Sequence, residues 1–335
     1  MLPPLPDILS TLRVVSLPLA HRFRGIDVRE VALFEGPAGW TEFSPFLEYD
    51  AVEASAWLAA ALDFGWQQTP PIFRSSIRVN ATLPAVDSAR VPQVLARFPG
   101  CRTAKVKVAE PGQELADDVA RVAAARAFLG AEGRIRIDAN GLWNVDEAER
   151  AIHALAEYDL EYVEQPCATV EELAEIRTRV KYMGVPIAAD ESVRKADDPV
   201  RVARVGAADL LVIKAQPLGG IRRALEVVEE AGLPVVVSSA LETSVGISMG
   251  AYLAAAIDTL PYDCGLATVS LLKSDITADP LSPHAGAIEV RRVIPDPELL
   301  SRYAADPSRE EWWRGRIAEC YRVLDDAFAV QRVSE

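Results

Sequence analysis

The alternation of hydrophobic and polar positions changes its rhythm twice along this chain. Up to about residue 50, short runs rich in aliphatic and β-branched residues dominate: LRVVSLPL, DVREVALFEGP and GWTEFSPF. These predict three strands, with Gly36-Pro37-Ala38-Gly39 as the turn between the last two. VEASAWLAAALDFGW follows as a helix with an apolar stripe. From about Ser76 the pattern alternates. Strand-like segments SIRVNATL, TAKVKV, RIRIDAN, EYVEQP, PIAADES, DLLVIKA, PVVVSSA and CGLATV are mostly separated by alanine-rich helical stretches. Eight strands in strand–helix repeats imply a parallel sheet. Past about Ala285 the rhythm stops. There Trp313, Ile317, Tyr321, Leu324 and Phe328 recur at helical spacing, a stripe that predicts packing against the β-rich N-terminal region.

The repeat length sharpens the architecture. Asp138, Glu164 and Asp190 follow one another at 26-residue intervals, then Lys214 and Ser238 at 24. A unit of this size fits a closed barrel of (β/α)8 type better than an open doubly wound sheet. No GxGxxG or P-loop follows any strand, which weakens a nucleotide-binding reading. The expected organisation is an α+β cap from residues 1–75 plus 285–335, around a barrel spanning 76–284.

Composition narrows the partners. The 335 residues carry a formal net charge of −14, which argues against nucleic acid and anionic membranes. No apolar run reaches transmembrane length, and MLPPLPDILSTLRVV lacks the basic-then-apolar order of a signal peptide, so a soluble, cytoplasmic protein is expected. Cys101, Cys167, Cys264 and Cys320 form no CxxC pair, and His21, His153 and His284 are scattered. Any metal is therefore expected to be held through oxygen. Nothing in the pattern sets an oligomeric state.

The chemistry-bearing residues all fall at the C-terminal ends of predicted strands: Lys105, Lys107, Asp138, Glu164, Asp190, Lys214, Ser238 and Ser239. That end of a barrel is where active sites form. Singly, each has an ordinary explanation: Asp138 as a helix cap, Lys105 and Lys107 as the wet face of an amphipathic strand. Three carboxylates around one mouth would repel unless a cation sat among them, and a hard divalent ion takes oxygen ligands. Parity supports the inward face, since Ile135 and Ile137 lie opposite Asp138, and Leu211 and Ile213 opposite Lys214. Lys105 and Lys107 then look across the mouth at Lys214. A lysine crowded by other cations loses its proton more easily and can serve as a base. The reaction class this suggests is proton abstraction α to a carboxylate.

At these residues the chain resembles the enolase superfamily, in its muconate lactonizing enzyme-like subgroup. The motifs are Lys105-Val106-Lys107, Asp138-Ala139-Asn140, Glu164-Gln165-Pro166, Asp190-Glu191-Ser192 and Lys214. The resemblance covers essentially the whole chain. It implies a modified (β/α)7β barrel of TIM type, closed by an α+β capping domain made from both termini. It also implies Asp138, Glu164 and Asp190 as ligands of Mg2+, with Mn2+ able to substitute, supported by Asn140, Gln165 and Glu191. By the same resemblance Lys107 is the base, Lys105 supports it and Lys214 acts from the opposite face. PVVVSSA carries no histidine, unlike the mandelate racemases, and Asp263-Cys264-Gly265 lacks the DxD of the dipeptide epimerases. HRFRGI, GWTEFSPFLEYD, SSALETSVGISMG and CGLATVSLL are most similar to the actinobacterial o-succinylbenzoate synthases. Membership there implies dehydration of a small dicarboxylate, with Ser238, Ser239, the Gly265 region and Arg24 (or Arg22) holding its succinyl tail. N-succinylamino acid racemase chemistry is the alternative, and a non-catalytic anion-binding barrel the remote one.

Overall fold

The computed structural model describes residues 2–195 and 198–334. Strands β1 (Arg13–Phe23), β2 (Ile26–Gly36) and β3 (Gly39–Phe43) form an antiparallel sheet in that order. Val14, Ala32, Phe34 and Phe43 point into one core, with Trp57 and Leu58 of helix Ala51–Trp66 and Trp313 and Ile317 of helix Pro307–Ser334. Val15, Leu17, Val31 and Leu33 point the other way, into the core shared with the barrel. Burial on both faces explains why these strands read as continuous apolar runs.

The helical stripe near the C-terminus packs as predicted. Trp313 and Ile317 are fully buried, and Tyr321 and Leu324 lie partly buried against the same cluster; the side chain of Phe328 lies outside the described residues. The Trp313 indole donates to Glu30 Oε2 at 2.9 Å, and Arg309 grips the same carboxylate at 2.6 Å. Trp313→Ala is expected to cost about 3–5 kcal/mol, the range for emptying a buried aromatic site. Urea denaturation measures it, and a loss below about 1 kcal/mol would mean the helix is anchored elsewhere.

The barrel is a parallel seven-stranded sheet of β5 (Ala81–Leu83), β6 (Thr103–Lys107), β7 (Arg134–Asp138), β8 (Leu160–Glu164), β9 (Ile187–Ala189), β10 (Leu210–Ile213) and β11 (Val235–Val237), in chain order. The eighth position is only a pair of parallel bridges, Ser238 to Gly265 and Val79 to Cys264. The predicted strand SIRVNATL is split. Its first part, β4 (Ser76–Arg78), pairs antiparallel with β12 (Ala287–Glu289), a strand the pattern did not announce. The switch comes where Val79 N donates to Gly286 O and Asn80 N to Cys264 O, each at 2.9 Å.

Parity inside the barrel is as predicted. Ile135, Ile137, Val163, Leu211 and Ile213 face the surrounding helices. Tyr162, Ala188, Leu210, Val212 and Val236 form the barrel floor, joined by Tyr262. Arg136 is fully buried over the Tyr162 ring and donates to Asp263 O at 2.7 Å. The polar residues of the mouth lie one step further along the same strands. Across the seam, Glu42 of β3 accepts Thr243 N at 3.1 Å and Gly246 N at 3.0 Å, capping helix Ser244–Ala256 from the other domain. The cap sheet is thereby fixed against the loop that follows β11.

Candidate active site

Strand pairing brings the lysines and carboxylates together. Lys107 lies in register with Asp138, and Asp138 with Glu164. Lys105 Nζ bridges Glu164 Oε1 at 2.7 Å and Asp138 Oδ2 at 2.9 Å. Lys107 Nζ meets Asp138 Oδ2 at 2.5 Å and Asn140 Oδ1 at 2.6 Å. Lys214 Nζ meets Asp190 Oδ2 at 2.5 Å from across the mouth. All three carboxylates are essentially inaccessible to water.

The residues after each carboxylate fix its direction. Asn140 and Gln165 adopt left-handed backbone, φ 48° and 38°, a strain held by their side chains. Gln165 Oε1 accepts Asp190 N at 2.9 Å and Ser192 N at 3.2 Å, while its amide donates to Ser192 Oγ at 2.7 Å. This ties the end of β8 to the segment bearing Asp190. Asn140 N donates to Asp138 Oδ1 at 3.0 Å, and its side-chain amide to Glu191 Oε1 at 3.1 Å.

Electrostatics distinguish the two neighbouring lysines. Burial lowers the Lys107 pKa below the ordinary lysine value; Asp138 pulls it up and Lys105 pushes it down again. The sequence had suggested cation crowding as the cause, but burial is the larger one. Lys105 is buried too, yet Asp138 and Glu164 raise its pKa well above the ordinary value. Burial, reinforced by Asp138, pushes Glu164 up to about 7. Asp190 falls to about 2, because Lys214 and Arg194 outweigh its burial.

These oxygens can hold a hard cation. Glu164 Oε2 is buried with no hydrogen-bond partner, an orphan acceptor flanked by two further carboxylates. The other carboxylate oxygens are engaged by Lys105, Lys107, Lys214, Arg194 and Asn140 N, and no ready-made metal cage exists among the described residues. The all-oxygen donor set and the orphan oxygen fit a divalent ion once the ammonium groups give way.

The cavity above the mouth is walled by Phe23, Arg24, Phe46 and Trp57 of the cap and by Lys105, Lys107, Asn140, Glu191, Lys214, Ser238 and Ser239 of the barrel. Arg24 is therefore at the site, whereas Arg22 is solvent-exposed and pairs with Asp27 at 3.4 Å. Gly265 acts from behind the wall. A Cβ there would stand 2.4 Å from Ser238 Oγ. Gly265→Ala is expected to turn the Ser238 hydroxyl away, raising KM several-fold and costing about 1–3 kcal/mol. Steady-state kinetics beside thermal melting check it; an unchanged KM would remove Ser238 from substrate binding. Thr82, Arg194 and Thr268 also line the cavity and were not singled out from the sequence. Thr82 was accessible to the parity rule, being in register with Lys105.

Comparison with known proteins identifies the family. Residues 89–295 match the family described as enolase C-terminal domain-like, and residues 14–65 the enolase N-terminal domain-like family. The chain belongs to the enolase superfamily. Superfamily relatives include an o-succinylbenzoate synthase of Mycobacterium marinum, 54% identical over 96% of both chains. That of Mycobacterium tuberculosis is 53% identical over 98% of this chain and 99% of its own. Among solved structures of the superfamily fold, muconate lactonizing enzyme from Pseudomonas putida superposes with a TM-score of 0.73, at 20% identity over 88% of this chain and 98% of its own. The Pseudomonas fluorescens enzyme complexed with muconolactone gives 0.75 at 21% identity, with the same coverage. The chain is thus an enzyme on the superfamily's barrel-and-cap fold.

Proposed function

We propose that this enzyme dehydrates 2-succinyl-6-hydroxy-2,4-cyclohexadiene-1-carboxylate to o-succinylbenzoate, a lyase step of menaquinone biosynthesis. One observation carries the proton-abstraction chemistry of this reading. Lys107 on β6 and the residue after β10, Lys214, stand four positions apart in an eight-position ring, so they oppose each other across the mouth. Of the strands between them, β7 and β8 end in Asp138 and Glu164, and Asp190 directly follows β9. The identity to the mycobacterial synthases over nearly the full chain supports the substrate.

Asp138, Glu164 and Asp190 would hold Mg2+, or Mn2+ in its place. When bound, the ion supplies a Lewis acid that stabilises negative charge on the substrate carboxylate. The protein's own groups do the rest. Neutral Lys107 takes the proton α to the ring carboxylate, and the C–H electrons pass into an enediolate. The Lys214 ammonium faces that charge from the other side. As the enediolate collapses, the C–O bond to the ring hydroxyl breaks with its electron pair on oxygen, and the Lys107 ammonium gives its proton to that departing hydroxyl on the same face, releasing water. Aromatisation makes the elimination downhill. Lys105 stays protonated between Asp138 and Glu164 and keeps Lys107 easier to deprotonate. Residues 1–75 with 285–335 would serve as the lid, and 76–284 as the catalytic barrel.

The opposed lysines also suit a two-base racemase acting on N-succinylamino acids, so the test runs both substrates. Purified protein with Mg2+ is expected to dehydrate the cyclohexadiene with a larger kcat/KM than it racemises any N-succinylamino acid. The reverse order would make racemisation the main activity.

A further inference from the structure

Tyr49 is a nearly buried cap residue whose ring is wedged between Phe46 and Trp57. Its hydroxyl oxygen is approached by two guanidinium groups, Arg24 Nη1 at 3.5 Å from the cap and Arg194 Nη1 at 3.3 Å from the barrel. Two donors use both lone pairs of a phenol, and its O–H finds no acceptor among the described residues. Arg24 is otherwise loosely held. It stacks on Phe46 at 4.2 Å, and its nearest carboxylate, Glu48, is 3.8 Å away, beyond hydrogen-bond length. Arg194 spends Nε on Asp190 and Nη2 on Glu191, which leaves N–H groups of its terminal nitrogens unspent. Two guanidinium groups therefore converge on one neutral hydroxyl, and both arginines line the cavity that holds Lys107 and Lys214. Arg194 is balanced by Asp190 and Glu191, but Arg24 has only the distant Glu48, and an anion with several lone pairs is the group that would take the N–H donors both arginines have to spare.

We propose that Arg24, Arg194 and the Tyr49 hydroxyl form a carboxylate-binding subsite on the seam between cap and barrel, and that it takes the terminal carboxylate of the succinyl tail. The inference rests on the dehydratase reading for the identity of that tail. Ser239, the sequence-based candidate for the same role, already donates to Gly265 O at 2.5 Å. Because two of the three groups belong to the cap, substrate binding and cap docking reinforce each other.

Calorimetric titration of the Mg2+-supplemented protein tests this with two ligands. One is o-succinylbenzoate; the other is 2-butyrylbenzoate, which keeps the ring carboxylate and ketone but ends in a methyl group. Tyr49→Phe and Arg24→Met are each expected to raise the Kd of the dicarboxylate about tenfold, and that of the monocarboxylate less than about twofold. Weakening both ligands by the same factor, or neither, would overturn the subsite. So would a parent enzyme that binds the dicarboxylate no better than the monocarboxylate. Discrimination without dehydration of the cyclohexadiene would instead overturn the reaction and leave the subsite standing.

Discussion

Lys107→Ala is expected to lower kcat about a thousandfold, within the range for removing a general base. No other amine has the same combination. Lys105 shares the strand face, but Asp138 and Glu164 hold its proton firmly. Lys214 stands on the far side, paired with Asp190. Burial is what lowers the Lys107 pKa below the ordinary lysine value and makes its neutral form easier to reach. The sign of the pH effect follows. Lys107 reacts as the neutral amine, so kcat/KM rises as pH climbs through its pKa. Lys105→Ala removes a neighbouring positive charge, raises that pKa and moves the rising limb to higher pH. The pH dependence of kcat/KM for both variants beside the parent measures this. If Lys107→Ala kept most of the activity while Lys105→Ala lost all of it, the roles would be exchanged.

Glu164→Gln is expected to weaken Mg2+ or Mn2+ binding by more than about 100-fold, and kcat/KM accordingly. Glu164 is the middle of the three carboxylates and carries the buried oxygen without a partner. The substitution keeps the side chain's volume, and Asp138 still pairs with Lys105, so the fold is expected to persist. A chelator should abolish turnover in the parent, and added Mg2+ or Mn2+ should restore it. Mn2+ affinity read by paramagnetic resonance separates loss of metal from loss of chemistry. Unaltered Mn2+ affinity in the variant would take Glu164 out of the ligand set.

The barrel and its mouth were legible because parity and repeat length are local properties. Asp138, Glu164, Asp190 and Lys214 each sit where a strand ends, and a period of two decided which way they face. Helix Ser244–Ala256 is buried on all sides, so SVGISMGAYLAAA shows no polar stripe to mark its period. β12 is three residues long and exists only through its pairing with β4. The seam was harder still. Tyr49 and Arg194 lie 145 positions apart in sequence, and neither carries a motif that announces the other. Their meeting depends on how the cap docks, which no local pattern encodes.

The cap is built from two distant parts of the chain, and this governs when it can form. During synthesis, β1–β3 and helix Ala51–Trp66 emerge long before helix Pro307–Ser334, and the surface they offer to Trp313, Ile317 and Cys320 stays uncovered until that helix leaves the ribosome. The barrel, with its contacts between successive strands, can meanwhile assemble in order of emergence. Closing a loop of about 270 residues between Phe43 and Trp313 is then the late, entropically slow event of folding. A nascent chain stalled short of Trp313 would display an apolar sheet face to chaperones beside a barrel that has already closed.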